Sequence, residues 1–218
     1  MDTWGTDETG SFYLPQKLEY GTYYLREVKA PEGYLLNTED IQFKVIAERD
    51  WENPLVVACE DVPAMGKIHL KKTDKESEEA LAGAVFNVIA AENITTPDGT
   101  LQAAKAEVVT TLTTGSDETA TSTALHFGKY KLVETKAPNG YVTSEKNWDV
   151  TLSYADQETE IVTKDVSVTN TPNEVKIKKV AADSQEALAG VEFQVWKKGT
   201  SAKDNLFDLY YADKPLFL

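Results

Sequence analysis

Three polar residues stand where the alternation of predicted β-strands would place another core-facing apolar residue. They are Lys72, Glu134 and Asn170, and each follows apolar residues at a spacing of two, which is the period of a half-buried strand. The apolar residues that precede them are Ile68 and Leu70, Tyr130 and Leu132, and Val166 and Val168. A charged group that faces a core is expensive unless it has a partner or a task. The three side chains therefore need a chemical explanation.

Burial would make these three side chains reactive toward one another. A lysine in an apolar core loses its proton easily, and its neutral amine is a nucleophile. A buried glutamate is held in its protonated form and shuttles protons. We therefore expect the Lys72 amine to attack the Asn170 side-chain carbon, with loss of ammonia and with Glu134 moving the protons. The product is an isopeptide bond that forms once per molecule, without an external substrate.

An alternative is that each polar residue only marks the end of the buried part of its strand. Lysine, glutamate and asparagine are seldom fully buried, so a single case at a strand end usually has this simple meaning. Three cases in one domain weaken the alternative. Lys179 adds a fourth case, because it follows Val175 and Ile177 at the same spacing.

The segments that would carry these residues recur along the chain. ALAGAVFNV begins at residue 80 and returns as ALAGVEFQV at residue 187, and LVETKAPNGY at residue 132 is preceded by LREVKAPEGY at residue 25. Both offsets are 107 residues, about the length of one small domain. We predict the C-terminal part of a repeat at 1–65, a complete repeat at 66–173 and the N-terminal part of a third repeat at 174–218.

Strands dominate the complete copy. Alternating runs such as KIHLKK and DVSVTN are typical of half-buried strands, and Pro, Asp, Asn and Gly in TTPDGT and KAPNGY indicate turns. Several short strands at this spacing predict an all-β sandwich. Residues 90–123, rich in Ala, Thr and Glu, fit either a short helix or a long loop.

Four motifs of the complete copy resemble a known family. They are K-x-D at Lys72, L-x-G-A-x-F at Leu81, L-x-E-x-x-A-P-x-G-Y at Leu132 and V-x-N-x-P at Val168. The combination resembles the SpaA-type, collagen-adhesin B-type repeat of surface proteins and pilins of Gram-positive bacteria. This resemblance implies an all-β fold of tandem prealbumin- or Ig-like β-sandwich repeats, one complete and two partial. It also implies that Lys72 forms the bond, Glu134 catalyses it and Asn170 accepts it.

The partial copies carry incomplete versions of the same set. In the first copy Glu27 corresponds to Glu134, and Asp61 stands in the acceptor position, where an aspartate can form the bond with loss of water. In the third copy Lys179 stands 107 residues after Lys72, and no matching glutamate or acceptor follows it in this sequence. Neither partial copy can close its own bond. The missing partners lie in other sequence or in another chain, as in a domain split between two chains.

Composition and spacing exclude several classes of function. A formal charge of −14 argues against nucleic acid, whose binders present clustered basic residues. The single cysteine, Cys59, rules out an internal disulfide, and we expect it to be a small buried strand residue. His69 and His126 have neither metal-ligand spacing nor a nucleophile motif beside them. We therefore predict surface histidines, no metal, no cofactor and no enzymatic turnover.

No segment is long and apolar enough to span a membrane, and the first residues lack the basic start and apolar core of a signal peptide. The chain is therefore either cytosolic or part of a longer protein. The family resemblance favours the second case. It implies a secreted, cell-wall-associated or cell-surface protein whose signal and anchor lie outside this segment.

The predicted function is that of a structural stalk or spacer in a bacterial adhesin or pilin, stabilised by the Lys72–Asn170 bond. Its partners would be the neighbouring repeats of the same protein. The alternative is a ligand-binding adhesin module that recognises a host extracellular protein or glycan through rim loops, with 90–123 as the candidate loop. An exposed apolar patch in that loop would favour the alternative.

Overall fold

The computed structural model describes residues 3–47, 50 and 52–195 of the 218-residue chain. Every regular element in that part of the chain is a β-strand, so the predicted all-β class is confirmed. The chain divides into two compact units, Met1–Asn173 and Glu174–Leu218. The predicted first and complete copies lie together in the first unit. The predicted third copy is the second unit, and its residues 196–218 lie outside the described residues.

Eleven strands follow one another in the described residues. Their bounds are β1 (Gly21–Leu25), β2 (Ile41–Val45), β3 (Met65–Asp74), β4 (Val85–Ala90), β5 (Ile94–Thr95), β6 (Leu101–Ala103), β7 (Val108–Thr113), β8 (Thr119–Thr121), β9 (Gly128–Lys136), β10 (Asn147–Leu152) and β11 (Ile161–Asn170). The first two strands belong to the first predicted copy, and the other nine belong to the complete copy.

Two sheets of the complete copy enclose its core. One sheet has the strand order β10-β9-β4-β7, and the other has the order β11-β3-β8. Burial alternates along β3, because successive side chains of a strand point to opposite faces. Ile68 and Leu70 of β3 thereby pack in one cluster with Phe86, Val88 and Leu132 of the opposite sheet. Full burial of each such side chain stabilises the fold by roughly 1.5–3 kcal/mol.

The first and last strands of the complete copy are neighbours. β3 and β11 pair in parallel, with Lys72 opposite Val168 and Asp74 opposite Asn170. A parallel pair needs a long crossover connection, and here the strands between β3 and β11 form that connection. The chain therefore enters the repeat at one end of this strand pair and leaves it at the other end.

The sequence left open whether residues 90–123 form a short helix or a long loop. In the structure they contain the strands β5, β6, β7 and β8. β5 pairs with β6 as a short hairpin, β7 is an edge of the four-stranded sheet, and β8 pairs with β3 at an edge of the other sheet. Of the large apolar side chains in this stretch, Leu101 and Val108 are exposed. These are the exposed apolar side chains that this stretch offers for the alternative function of ligand binding.

The first copy forms the β1–β2 hairpin, and its segment 54–62 forms no strand. Cys59 in that segment is exposed, so its predicted burial is wrong. The counterpart of Cys59 in the complete copy is Val168, which is buried in β11 where that strand pairs with β3. The described part of the first copy has no strand corresponding to β3, so segment 54–62 has no sheet to join.

The described part of the third copy repeats local geometry of the complete copy. The β-bridge between Thr73 and Ala80 recurs 107 residues later between Val180 and Ala187. The Leu81 N–H donates to the Lys72 carbonyl at 3.0 Å, and the Leu188 N–H donates to the Lys179 carbonyl at the same distance. Val175, Ile177 and Lys179 are exposed and form no strand. Their alternating pattern has no partner strand within the described part of this unit.

Candidate isopeptide site

The three predicted site residues meet between the two sheets of the complete copy. Lys72 lies on β3, Asn170 ends the neighbouring β11, and Glu134 lies on β9 of the opposite sheet. Their exposed fractions are 0%, 3% and 4%, respectively. Asn170 lies two residues beyond Val168, the residue opposite Lys72, which is a diagonal spacing that long side chains can bridge.

A buried hydrogen bond joins Glu134 to Asn170. The Asn170 Nδ2 donates to Glu134 Oε2 at 2.8 Å, and it also donates to the Val142 carbonyl. The Ser144 N–H donates to the same Glu134 oxygen at 2.6 Å. The loop at residues 142–144 therefore holds both the carboxyl group and the amide.

Burial lowers the pKa of Lys72 to about 8, although the carboxylates of Glu134 and Asp74 oppose the shift. The cause is desolvation, which disfavours the charged ammonium form more than the neutral amine. The Lys72 Nζ donates to the Thr73 carbonyl at 3.1 Å. At mildly alkaline pH this lysine is therefore largely a neutral amine, in contrast to an exposed lysine.

Two polar atoms of this pocket, Glu134 Oε1 and Asn170 Oδ1, are buried without a hydrogen-bond partner among the described residues. An unpaired buried polar atom costs about 1–3 kcal/mol, so such exceptions in a folded protein need an explanation. Both atoms belong to the pair whose chemistry is in question. The unpaired atoms therefore point to the same two groups as the sequence pattern.

Several groups around the site could not be read from the sequence pattern. Asp74 was marked only by its motif, yet its Oδ1 accepts hydrogen bonds from the N–H groups of Ser77 and Glu76 at 2.8 and 2.7 Å. These bonds close the turn after β3 and hold the pKa of Asp74 below its usual value. The backbone groups of Val142 and Ser144 were missed, and their only signal was their position directly after the KAPNGY turn.

The first copy contains a corresponding glutamate in a similar setting. Glu27 Oε2 accepts a hydrogen bond from the Asn37 N–H at 2.7 Å, and Asn37 precedes Ser144 by 107 residues. Burial raises the pKa of Glu27, the Asn37 hydrogen bond opposes this shift, and the neighbouring Asp61 adds to it. Glu27 and Asp61 are therefore close together. Lys179, the lysine of the third copy, is exposed in the second unit.

The hydrogen bonds described at the candidate site involve neither histidine. Both are half-buried, whereas the sequence predicted surface positions. His69 Nδ1 lies 2.9 Å from Thr121 Oγ1, and partial burial lowers the pKa of His126. In the described part of the chain, no group of three or more His, Cys, Asp and Glu residues could hold a metal ion. The same residues contain no helix that is long and apolar enough to cross a membrane.

Two facing sheets around one core, with the first and last strands of the repeat paired in parallel, define a prealbumin-like β-sandwich. The chain matches the SpaA prealbumin-like fold domain over residues 1–54 and 66–167. It therefore belongs to this family. The match includes Glu27 of the first copy and both Lys72 and Glu134 of the complete copy.

Similar proteins include bacterial surface and pilus proteins. The trypsin-resistant surface T6 protein of Streptococcus pyogenes serotype M6 is 28% identical over 122 residues, which are 56% of this chain and 20% of that protein. The structure of the Bacillus anthracis TIE protein is 24% identical, with a TM-score of 0.50, over 71% of this chain and 26% of that one. The group B streptococcus pilus 2b backbone protein is 24% identical, with a TM-score of 0.38, over 68% and 53% of the two chains. This chain thus spans a minor part of its curated relative, and its likeness to the TIE structure concerns the fold alone.

Proposed function

We propose that this chain is part of a structural stalk or spacer at the surface of a Gram-positive bacterium, stabilised by an internal Lys72–Asn170 isopeptide bond. The observation that carries the proposal is the meeting of a lysine, a glutamate and an asparagine in one buried pocket. The lowered pKa of Lys72 fits a reaction among these groups. The T6 relative is named a trypsin-resistant surface protein, which fits the same location.

The bond would form by attack of the neutral Lys72 amine on Asn170 Cγ. A new bond joins Lys72 Nζ to Cγ, the bond from Cγ to Nδ2 breaks, and Nδ2 leaves as ammonia. Glu134 takes one proton from the attacking amine and returns one to the leaving nitrogen, with which it already shares a hydrogen bond.

The unpaired oxygens of the pocket fit a role for Glu134 as proton carrier during the reaction. A proton on Glu134 Oε1 would give that oxygen a hydrogen to donate, and Asn170 Oδ1 is an unpaired acceptor in the same pocket. Such a hydrogen bond would withdraw charge from the amide carbonyl and stabilise the oxyanion that develops during attack. Glu134 would thus activate the acceptor as well as move protons.

The bond would also change how a pulling force passes through the repeat. The chain enters at Met65, the start of β3, and leaves after Asn170, the end of the parallel strand β11. A bond between positions 72 and 170 would transmit force past the loop of 98 residue steps between them. In the chain-entropy picture a cross-link over a loop of this size stabilises a domain by up to ~4.7 kcal/mol. Both effects suit a stalk that must resist extension and proteolysis.

We propose residues 66–173 as the complete repeat, with 1–65 and 174–218 as parts of two others. The contacts that recur at an offset of 107 residues support the third copy. The turn at Gly33, whose φ of +91° equals that of Gly140, supports the first copy. The direct partners of the complete repeat are then the neighbouring repeats of the same protein.

Peptide mapping of the full chain tests the proposed bond. After denaturation and proteolysis, we expect the peptide that contains Lys72 to be joined to the peptide that contains Asn170, with loss of one ammonia. In an Asn170→Ala chain the two peptides should separate. Two separate and unmodified peptides from the unaltered chain would contradict the bond, and the stalk would then depend on non-covalent packing.

A further inference from the structure

Residues 30–36, the end turn of the first copy, are bound by one glutamine of the complete copy. The Ala30 N–H donates to Gln157 Oε1 at 3.1 Å, and the Leu36 N–H donates to the Gln157 carbonyl at 2.8 Å. Ala30 is buried. Gln157 therefore holds both sides of the end turn, one with its side chain and the other with its backbone.

The corner that presents this glutamine, residues 154–157, is itself well supported. Asp156 Oδ1 accepts hydrogen bonds from two backbone N–H groups that follow it, at 2.9 and 2.7 Å, which closes a local turn. The Tyr154 ring packs edge-on against a neighbouring aromatic ring at 6.3 Å between centroids. Its hydroxyl donates to the Tyr34 carbonyl of the end turn at 3.2 Å. The corner is thus a defined surface that contacts the end turn at three points.

Close packing completes this contact. Gly33 of the end turn is buried, and a Cβ at this position would overlap Pro97 Cγ. The equivalent residue of the complete copy, Gly140, has the same φ of +91°. Among the described residues other than Gly140 and its two chain neighbours, no atom lies within 4 Å of a Cβ built at Gly140. The two turns share a backbone conformation, but only the first is packed against a proline.

The end turn leads directly into the backbone that holds a site glutamate. Leu36 is bound to Gln157, and the next residue, Asn37, donates its N–H to Glu27. In the complete copy the corresponding loop at 142–144 holds the glutamate and the asparagine of the candidate site. An interaction that orders the end turn therefore also orders the backbone beside the glutamate.

We propose that this contact is a docking interface between successive repeats, in which the corner 154–157 of one repeat binds the end turn of the repeat before it and positions that repeat's glutamate. The end turn offers two N–H donors, a carbonyl acceptor and a glycine that leaves room for Pro97. Gln157 is the positioning residue of the interface. In the first copy, the backbone beside Glu27 is thus ordered by the repeat that follows it.

Variants at Gly33, Gly140 and Pro97 in the full chain separate the interface from backbone strain. Gly33→Ala and Gly140→Ala both place an alanine at a φ of +91°, where L-residues are strained. Only the first substitution also overlaps Pro97. Adding Pro97→Ala to the Gly33→Ala chain removes the overlapping Cγ and should restore part of the contact.

Amide hydrogen exchange, resolved by residue, measures the effect. The informative amides are Ala30 and Leu36, which donate to Gln157, and Asn37, which donates to Glu27. We expect all three to exchange roughly tenfold faster in the Gly33→Ala chain, because local opening there becomes easier, and to be unchanged by Gly140→Ala. Gln157→Ala should release the Ala30 amide, whereas Gln157→Glu, which keeps an acceptor oxygen, should retain its protection.

Each part of the inference can fail separately. Exchange rates in the Gly33→Ala chain that stay the same when Pro97→Ala is added would overturn the interface. Faster exchange at Ala30 and Leu36 with an unchanged rate at Asn37 would overturn the coupling to the glutamate. The three rates report on the first copy and do not require a bond between Lys72 and Asn170, so failure of the proposed bond would be recognised independently by mass.

Discussion

The Lys72 side chain is fully buried, and the carboxylates of Glu134 and Asp74 offset only part of its lost hydration, since its pKa falls to about 8. A free amine in this position destabilises the fold, because unfolding restores the hydration of its charged form. Conversion of the amine into an amide would remove that cost. Lys72, which begins the proposed reaction, therefore destabilises the fold until its amine becomes an amide.

The Asn170→Ala chain, in which Lys72 must remain a free amine, should become more stable as the pH rises. The pKa of Lys72 is about 8 in the folded state and 10.5 as its ordinary value, so below pH 8 both states are protonated and the full cost of burial applies. Between these values the unfolded state binds more protons, and the free energy of unfolding should rise by on the order of 3 kcal/mol. Urea unfolding at several pH values measures this rise.

A second substitution in the same background provides the control for the pH effect. Adding Lys72→Met to the Asn170→Ala chain removes the titrating group, so the rise between pH 8 and 10.5 should disappear. An equally steep rise in both chains would assign the effect to other groups. A flat profile in the Asn170→Ala chain would mean that Lys72 is hydrated in the folded state.

The alternation of apolar residues was sufficient to predict the direction of Lys72, Glu134 and Asn170, because a period of two determines the face of each side chain. The same pattern failed for Cys59, since it predicts a face but not whether another strand covers that face. The contributions of Val142 and Ser144 could not be predicted, because they come from backbone groups that every residue has. Side-chain direction is thus readable from sequence, and backbone partners are not.

At the scale of elements, β3 connects the core to the candidate site. It is the central strand of its sheet, between β11 and β8. It carries the buried residues Ile68 and Leu70 as well as Lys72. A defect in the packing of β3 therefore reaches both the core and the site.

Replacement of a buried leucine in β3 should cost far more than replacement of an exposed one. Leu70 is 0% exposed and Leu101 is 55% exposed. Leu70→Ala leaves a cavity and should lower the free energy of unfolding by about 2–5 kcal/mol, whereas Leu101→Ala should stay within about 0.5 kcal/mol. Chemical denaturation of the two chains measures the difference. Similar values for both would mean that β3 does not lie in the core.

The longer strands were readable from sequence, and the edge strands were not. β3, β9 and β11 have nine or ten residues each, enough for several periods of alternation. β5, β6 and β8 have two or three residues, which is too short for a period to be recognised. These short strands are held by pairing with neighbours, and that tertiary information is not present in local sequence.

At the scale of the whole molecule, the proposed bond matters because it closes most of one repeat into a loop. Positions 72 and 170 are 98 residue steps apart in a chain of 218 residues. A loop of this size restricts the unfolded chain even when all non-covalent contacts are lost. The effect can therefore be observed in the denatured state, where native packing plays no part.

The denatured chain should be more compact when the bond is present. In strong denaturant we expect the unaltered chain to have a smaller hydrodynamic radius than the Asn170→Ala chain. Asn139→Ala, which changes an exposed asparagine of the KAPNGY turn, is the matched control and should behave like the unaltered chain. Light scattering or size-exclusion chromatography in denaturant gives the radii, and identical radii for all three chains would argue against a cross-link.

The most direct test of the central claim is the intact mass of the full chain under denaturing conditions, beside Glu134→Ala and Glu27→Ala chains. The two glutamates occupy equivalent positions 107 residues apart, but only Glu134 lies with a buried lysine and asparagine. We predict a mass short by one ammonia for the unaltered chain and for Glu27→Ala, and the full calculated mass for Glu134→Ala. The full calculated mass for the unaltered chain would contradict the account, and Lys72, Glu134 and Asn170 would then be structural residues only.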